Sequence, residues 1–258
     1  MNPDIIKPHT PNIQLTEFLT ASIQATKEII TLLDSKDNTL FVKHTQGVGG
    51  DISIGADLEC QRIFIKHLSH LADIDSEESG MILSPKPTDS LIILDPLDGS
   101  DNFLSHVPYY GASVALCDKQ GNCKEAVVIN FCTKTLIARS NDILFTLDLN
   151  NPKPMPLIHT KNPKCGIFEK AYSNPSIANL LFAHHLKFRS LGASALSISM
   201  AHEVSFMLFV GKIRHYDSKA GLFLSQGLHI NHNEDFLLIS KDKQIFDTIT
   251  QLLTQSKD

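Results

Sequence analysis

The sequence predicts a mixed fold, α+β in its first half (1–150) and α/β in its second (151–258), on three observations. Leu15, Phe18, Leu19, Ile23, Ile29, Ile30 and Leu33 fall about three and four apart, the apolar stripe of a long amphipathic helix. From Tyr110 to Leu149, β-rich runs are divided at Gln120-Gly121-Asn122 and Ser140-Asn141-Asp142, which reads as an antiparallel meander. Beyond Pro152, Pro154, Pro156 and Pro163, an extended proline-bearing connector, helical and strand-like stretches alternate. Helices are expected over Ser176–Leu186, Ala193–Glu203, Ser218–Gln226 and Asp242–Thr254, with strands near Phe188, Phe206–Phe209 and Phe236–Ser240.

Between the first helix and the meander, the glycines from Gly47 to Gly50 lead to Asp57, which is placed to cap a second helix bearing Leu58, Ile63, Leu68 and Leu71. Ile74 and Leu91–Leu94 read as short strands, each running into carboxylates: Glu77 and Glu78 after the first, Asp95 after the second. Two strand ends that deliver acids can share a site.

With 258 residues, 42% hydrophobic and 20% charged, the chain is long enough for one large or two modest domains with an ordinary core. Its 23 basic and 28 acidic residues give −5, so no global basic field drives binding to nucleic acid or anionic lipid. The five cysteines, with no Cys-x-x-Cys among them, argue against a disulfide framework or zinc knuckle. Met1-Asn2-Pro3-Asp4 lacks a positive n-region, and the apolar window Ala193–Val210 is broken by His202 and Glu203, so a cytoplasmic chain without a membrane span is expected. Twelve scattered histidines, including His184-His185, form no His-Glu-x-x-His pattern and read as ordinary surface or half-buried residues.

The most informative segment is Leu91-Ile-Ile-Leu-Asp95-Pro96-Leu97-Asp98-Gly99-Ser100-Asp101-Asn102-Phe103. An apolar strand ends in two acids three apart, with Pro96 fixing one backbone angle and Gly99 relieving steric limits. Such a turn aims two carboxylates at one point, which suits a hard divalent cation that keeps positions for water and phosphate oxygens. Gly99 and Ser100 would then offer N–H groups to a phosphate. The competing interpretation is a surface turn, since Asp, Pro, Gly, Ser and Asn all favour turns for local reasons.

The surrounding pattern separates these interpretations. Gly50-Asp51-Ile52-Ser53-Ile54-Gly55-Ala56-Asp57, Glu59, Ser76-Glu77-Glu78-Ser79, Asp95 to Ser100 with Asn102-Phe103 and Pro108, and Tyr216-Asp217-Ser218-Lys219-Ala220-Gly221 occur in order. Together they resemble the signature of the inositol monophosphatase superfamily, which includes fructose-1,6-bisphosphatases and bisphosphate nucleotidases. The resemblance implies a layered αβαβα sandwich of the sugar-phosphatase type, its acids in 1–150 and its site completed by 151–258. It implies a Mg²⁺-dependent phosphoric monoester hydrolase with two or three Mg²⁺ per site and a lithium-sensitive activity.

By the same resemblance, Glu77, Asp95, Asp98 and Asp217 would be metal carboxylates, with Asp95 bridging and the carbonyl of Leu97 as a further ligand. Ser100 would hydrogen-bond the attacking water and Asp57 would hold the Ser100 hydroxyl, so that Asp57, Glu77 and Ser100 form the catalytic set and no phosphoenzyme arises. Gly99, Ser100, Gly192, Ala193 and Asp217 would contact substrate, the Gly192-Ala193 pair lying in Arg189-Ser190-Leu191-Gly192-Ala193-Ser194-Ala195. Acids packed this closely repel one another, so metal-free protein is expected to bind cations weakly and cooperatively with phosphate. Asp57 and Asp217 also suit simple helix caps, and Glu78 is expected outside the ligand set.

Several positions depart from the pattern. Asp101 stands for threonine or serine and adds negative charge. Lys219 stands for alanine, where it would pair with Asp217, meet a second substrate phosphate, or point to solvent. Val210 stands for the glutamate that inositol-specific members use, and an apolar side chain accepts no hydroxyl hydrogen bond. The substrate is therefore expected to be a small phosphorylated metabolite: an inositol phosphate-like compound, a sugar phosphate or fructose 1,6-bisphosphate, with 3′(2′),5′-bisphosphate nucleotidase activity as the alternative. From another class, some members of the superfamily take part in transcription antitermination, which would make the chain an interaction protein. A homodimer is an assembly common in that superfamily; neither a membrane nor a nucleic acid is expected as a partner.

Overall fold

The structure, a computed structural model, describes residues 13–157 and 160–255. The opening Met1–Asp4 therefore lies outside the described residues, as do two positions of the proline-bearing connector.

Helix α1 (Glu17–Asp34) is capped by Thr16, whose Oγ1 accepts the N–H of Leu19 at 3.3 Å and donates to Glu125 Oε2 at 2.6 Å. The periodic residues Phe18, Leu19, Ile29 and Leu33 are buried as their spacing predicts. A small hairpin, β1 (Lys43–Gln46) with β2 (Ile52–Ile54), runs directly into α2 (Gly55–Leu68). Asp57 caps this helix from its third position, not from the N-cap itself: Ile54 is the N-cap and donates its N–H to Asp57 Oδ2 at 2.7 Å.

Then come β3 (Asp73–Ser76), β4 (Gly80–Ile82), β5 (Ser90–Asp98) and α3 (Ser100–Leu104). The expected meander follows as β6 (Gly111–Asp118), β7 (Cys123–Asn130), β8 (Thr135–Ser140) and β9 (Ile143–Asp148), paired antiparallel in succession. Cys117 and Cys123 face each other across β6 and β7 with their sulfurs 2.9 Å apart, and all five cysteines are free thiols. The prolines do not make a free connector at first: β10 (Asn151–Pro156) pairs with β9 at the edge of the sheet. An edge strand needs hydrogen bonds on one side only, which is why it tolerates three prolines.

The second half contains β11 (Gly166–Glu169), α4 (Pro175–Ala183), β12 (Phe188–Arg189), α5 (Ser194–Ser199), β13 (Met207–Val210), α6 (His215–Leu224), β14 (His229–His232), β15 (Phe236–Ser240) and α7 (Lys243–Gln255). The helix expected over Ala193–Glu203 is shorter, because after Ser199 the chain tightens to a 3₁₀ turn over Met200–His202.

Two sheets organise the molecule, one of eight strands in the order β10-β9-β8-β7-β6-β5-β3-β4 and one of five in the order β12-β11-β13-β15-β14. The face of the large sheet carrying Ile74, Ile92, Leu94 and Val127 packs on α1 and α2. Its other face, with Ile93, Ala115 and Val128, meets Leu196 of α5 and Tyr216, Ala220 and Leu224 of α6. Those helices then cover Ile167, Met207 and Phe209 of the second sheet through Ile198 and Leu222. Phe168, Leu208 and Leu238 on the far face pack against Leu181 of α4 and Ile249, Leu252 and Leu253 of α7. The order is helix, sheet, helix, sheet, helix, the αβαβα sandwich. Alternation along a strand explains it, since neighbours such as Ile92 and Ile93 enter different layers. Among the described residues no helix is long and apolar enough to cross a membrane.

Candidate metal centre and active site

Strands β3 and β5 lie side by side and parallel, with Ser76 opposite Leu94, and Glu77 donates its N–H to the carbonyl of Leu94 at 3.0 Å. This register sets Glu77 beside Asp95. Asp217 arrives in the first turn of α6, which is fastened over β3 by Tyr216: its hydroxyl donates to Asp75 Oδ1 at 3.0 Å. Glu77, Asp95 and Asp217 thus come from three separated parts of the chain, are all buried, and offer ligand oxygens within 4.8 Å of one another.

Asp98 closes β5 and borders the same cavity, but it is not in that trio; its Oδ2 accepts the N–H of Leu196 at 2.8 Å. Asp95 Oδ1 accepts the N–H of Leu97, 3.1 Å away, which holds the Asp95-Pro96-Leu97 turn closed. Gly99 follows with φ +86°, and a Cβ there would lie 3.0 Å from both Ala193 Cβ and the Tyr109 carbonyl, so the turn into α3 requires glycine. Ser100 opens α3, half-buried, on the wall shared by Asp57, Glu77, Glu78, Asp95 and Leu97. Among the described residues Asp57 and Ser100 share no direct hydrogen bond. Glu78 is occupied by the Ser53 hydroxyl and stands apart from the trio.

Burial raises the proton affinity of this set. Asp57 is pushed up to about 7, chiefly by desolvation and further by Glu78, Asp101 and Asp51, against the lowering effect of the Ile54 N–H. Glu77 and Asp98 each rise to about 8, desolvation first, with Asp217 the leading like charge on both. Asp95 is raised well above the usual carboxylate range, again by burial and then by Glu77 and Asp98.

Arg214 was not singled out from the sequence, yet it enters the acid cluster. Its Nε donates to Asp217 Oδ2 at 2.9 Å, and its Nη1 donates to Asp51 Oδ2 at 2.8 Å and to Glu77 Oε1. The available signal was its position three residues before Asp217, which becomes one helical turn at the start of α6. Of the three placements open to Lys219, pairing with Asp217 is the one taken by Arg214. Lys219 is half-buried beside the β6–β7 turn at Gly121.

A larger cavity of about 660 Å³ opens from the acids, with Lys43, Asp101, Lys170, Tyr172, Gly192 and Ser194 on its walls. The Leu191–Gly192 segment is held by Glu169, a buried residue the sequence did not reveal, which accepts the N–H groups of Leu191 (3.2 Å) and Gly192 (2.9 Å) and the Ser197 hydroxyl. Asn102 ties the same segment to α3 by donating to the carbonyls of Tyr109 and Leu191, both at 2.8 Å. Ala193, expected beside Gly192 at the substrate, packs its side chain into the apolar layer over the large sheet, and Gly192 and Ser194 line the cavity instead. Val210 points away from the cavity, into the layer packed by α4 and α7.

The donors suit a hard divalent cation: they are carboxylate oxygens, with Leu97 on the same cavity wall and without thiolate or imidazole, and the structure already draws a guanidinium, another cation, among them. No curated protein matches the chain. Among solved structures, the Thermotoga maritima inositol monophosphatase superposes with a TM-score of 0.73 at 18% identity, covering 93% of this chain and 99% of that one. Leishmania major fructose-1,6-bisphosphatase gives 0.76 at 16% identity, covering 92% and 94%. The Bartonella henselae extragenic suppressor protein SuhB gives 0.75 at 19%, covering 92% and 96%. These likenesses establish the fold. The sequence model of the inositol monophosphatase family matches residues 14–227, a span that includes every acid of the cluster, and the chain belongs to that family.

Proposed function

We propose that the protein is a Mg²⁺-dependent phosphatase that hydrolyses a small phosphorylated metabolite with water. The observation that carries this reading is the convergence of buried Glu77, Asp95 and Asp217, with Glu77 and Asp95 lining a small acid cavity that shares Asp98, Ser100 and Arg214 with the larger cavity of about 660 Å³. Membership of the inositol monophosphatase family supports phosphatase chemistry. Glu77, Asp95 and Asp217, with Asp98 and the Leu97 carbonyl beside them, would hold two or three Mg²⁺ ions. Bound Mg²⁺ supplies Lewis-acid chemistry, lowering the pKa of water and neutralising phosphate charge.

The protein's own groups position the reactants. Ser100 faces the acid cavity with a hydroxyl able to accept from water and donate onward. Asp57 Oδ2 is fixed by the Ile54 N–H, which leaves its other oxygen to steady the Ser100 hydroxyl once water and substrate fill the cavity. Glu77 shares that wall, where its carboxylate could accept a hydrogen bond from the attacking water. Gly99 and the segment from Gly192 to Ser194 shape the wall for the phosphorylated ring, with Asp217 at its base.

Lys43 and Lys170 border the mouth, where a second anionic substituent would meet them. This favours a sugar phosphate, fructose 1,6-bisphosphate in particular, over an inositol monophosphate, with a 3′(2′),5′-bisphosphate nucleoside as the alternative. Lithium inhibition, a cytoplasmic location and a homodimer belong to the same reading.

Phosphate release across inositol phosphates, sugar monophosphates and bisphosphates, and nucleoside bisphosphates, with Mg²⁺, tests it directly. Turnover of at least one class, lost in Asp95→Asn, is expected; no Mg²⁺-dependent release from any class would overturn it. The likeness to SuhB favours one second reading, an interaction protein of the kind active in transcription antitermination. Cellular function preserved in catalytically dead Asp95→Asn would favour that reading.

A further inference from the structure

Arg214 makes contacts that an ordinary surface arginine does not. It precedes α6 and spreads over Asp217, Glu77, Asp51 and the Gly49 carbonyl, with Nη2 also directed to Asp217 Oδ1 at 3.4 Å. Two of these acids, Glu77 and Asp217, belong to the trio whose oxygens lie within 4.8 Å of one another. The partners differ sharply in exposure: Asp51 is 84% exposed, whereas Glu77 is 10% and Asp217 6% exposed. Arg214 itself lies at the boundary, 35% exposed, and forms a wall of both the small acid cavity and the large mouth.

A guanidinium and a divalent ion make incompatible demands on these oxygens. Mg²⁺ binds carboxylate oxygens at about 2.0–2.1 Å in a near-octahedral shell that excludes N–H donors from the same lone pairs. Arg214 donates to an oxygen of Glu77 and to both oxygens of Asp217. Full loading of the cluster therefore requires the guanidinium to move. Its backbone is anchored at the start of α6, its partner Asp51 sits on the solvent side, and the adjoining mouth gives it room. A planar guanidinium displaced into that mouth presents paired donors suited to phosphate oxygens.

We infer that Arg214 is an exchangeable counter-cation of the acid cluster: it neutralises Glu77 and Asp217 in metal-free protein, yields them to divalent metal, and binds the substrate phosphate once displaced. This rests on reading the cluster as a divalent-metal site. It also revises the expected origin of weak metal binding: the acids do not simply repel one another, because a tethered cation already occupies part of their field. Phosphate that captures the displaced guanidinium would tighten metal binding, and by linkage metal would tighten phosphate binding by the same factor.

The test is a calorimetric Mn²⁺ titration of the full chain, without and with inorganic phosphate, for wild type, Arg214→Gln, Arg214→Lys and Glu77→Gln. Thermal midpoints of the metal-free proteins are measured alongside. Arg214→Gln is expected to bind Mn²⁺ about 10-fold more tightly than wild type without phosphate, within the usual range of coupling between sites. It should also lose the tightening that phosphate gives wild type and melt at a lower temperature when metal-free. Arg214→Lys, which keeps the charge without the fork and serves should the glutamine variant not fold, is expected to lie between the two. Unchanged or weaker Mn²⁺ affinity in the Arg214 variants, with phosphate coupling intact, would overturn the inference while leaving the metal site standing. Wild type that takes up no Mn²⁺, or takes it up as Glu77→Gln does, would overturn the metal-site reading itself.

Discussion

Asp98 Oδ2 accepts the backbone N–H of Leu196 at 2.8 Å, so an acid at the end of β5 is fastened to the first turn of α5, 98 residues away in sequence. The bond serves two ends: it satisfies a helix-end donor and fixes the direction of a carboxylate in the acid cavity. Asp98→Asn keeps an acceptor and removes the charge, whereas Asp98→Ala removes both. Phosphate release is expected to fall at least about 100-fold in each. Denaturant unfolding is expected to find the alanine variant less stable than the asparagine variant by about 1–3 kcal/mol, the cost of a buried N–H left without a partner. Equal stability of the two would show that the bond contributes nothing to the fold.

The raised acids give metal-free protein a pH dependence of defined sign. Asp57 (ordinary value 3.8, about 7 when folded), Glu77 (4.5, about 8) and Asp98 (3.8, about 8) bind protons more tightly folded than unfolded. Between about pH 4 and pH 8 the native state thus holds more protons, and stability falls as pH rises. The contribution is fully present below about pH 4 and lost as pH passes the folded values. The metal-free melting temperature is expected to drop from pH 5 to pH 9 after correction with a Glu77→Gln/Asp98→Asn double variant as baseline. Saturating Mg²⁺ should flatten the slope, because a cation stabilises the ionised acids. A metal-free melting temperature that rises over this interval relative to that baseline would contradict the burial argument.

Ser100 separates chemistry from metal retention. It lines the acid cavity but supplies no carboxylate to the trio. Ser100→Ala is expected to lower the turnover number by about 100-fold while leaving Mg²⁺ affinity nearly intact, as for a group that positions water. Steady-state kinetics with calorimetry distinguish this outcome from a site that has lost its metal.

Glu169 is expected to act at a distance from the phosphate. Its carboxylate holds the N–H groups of Leu191 and Gly192, so Glu169→Ala frees the segment that lines the mouth. The expected signature is a rise in KM of about 10-fold with a smaller change in kcat, because uniform binding is lost and the acids stay in place. Glu169→Gln, which keeps one acceptor oxygen, should recover part of the loss. A fall confined to kcat would place Glu169 nearer the chemistry than its contacts do.

Much of the acid cluster was legible because motif order survives folding: Glu77 and Asp95 follow adjacent parallel strands, and the apolar runs before them were visible. Asp57 was legible as a cap but not in its register, since a carboxylate can cap a helix from the N-cap or from three residues inside. Arg214 and Glu169 were not legible, for different reasons. A single arginine among surface-type residues carries no sequence mark of being folded onto acids over 130 positions distant. Glu169 ends β11, a four-residue strand buried on both faces, where period-two alternation vanishes and a short apolar run gives no clear assignment. Connector prolines at 152, 154 and 156 signalled extension correctly, but nothing local to them reveals a pairing partner.

That proline-bearing strand has a consequence for how copies of the chain can meet. Three of its six residues lack an N–H, and at the opposite border of the large sheet β4 is only three residues long. A foreign strand arriving at either border finds few donors or a very short template, the two devices that blunt β-sheet polymerisation. Self-association of this molecule is thereby steered toward side-chain surfaces and away from backbone annealing.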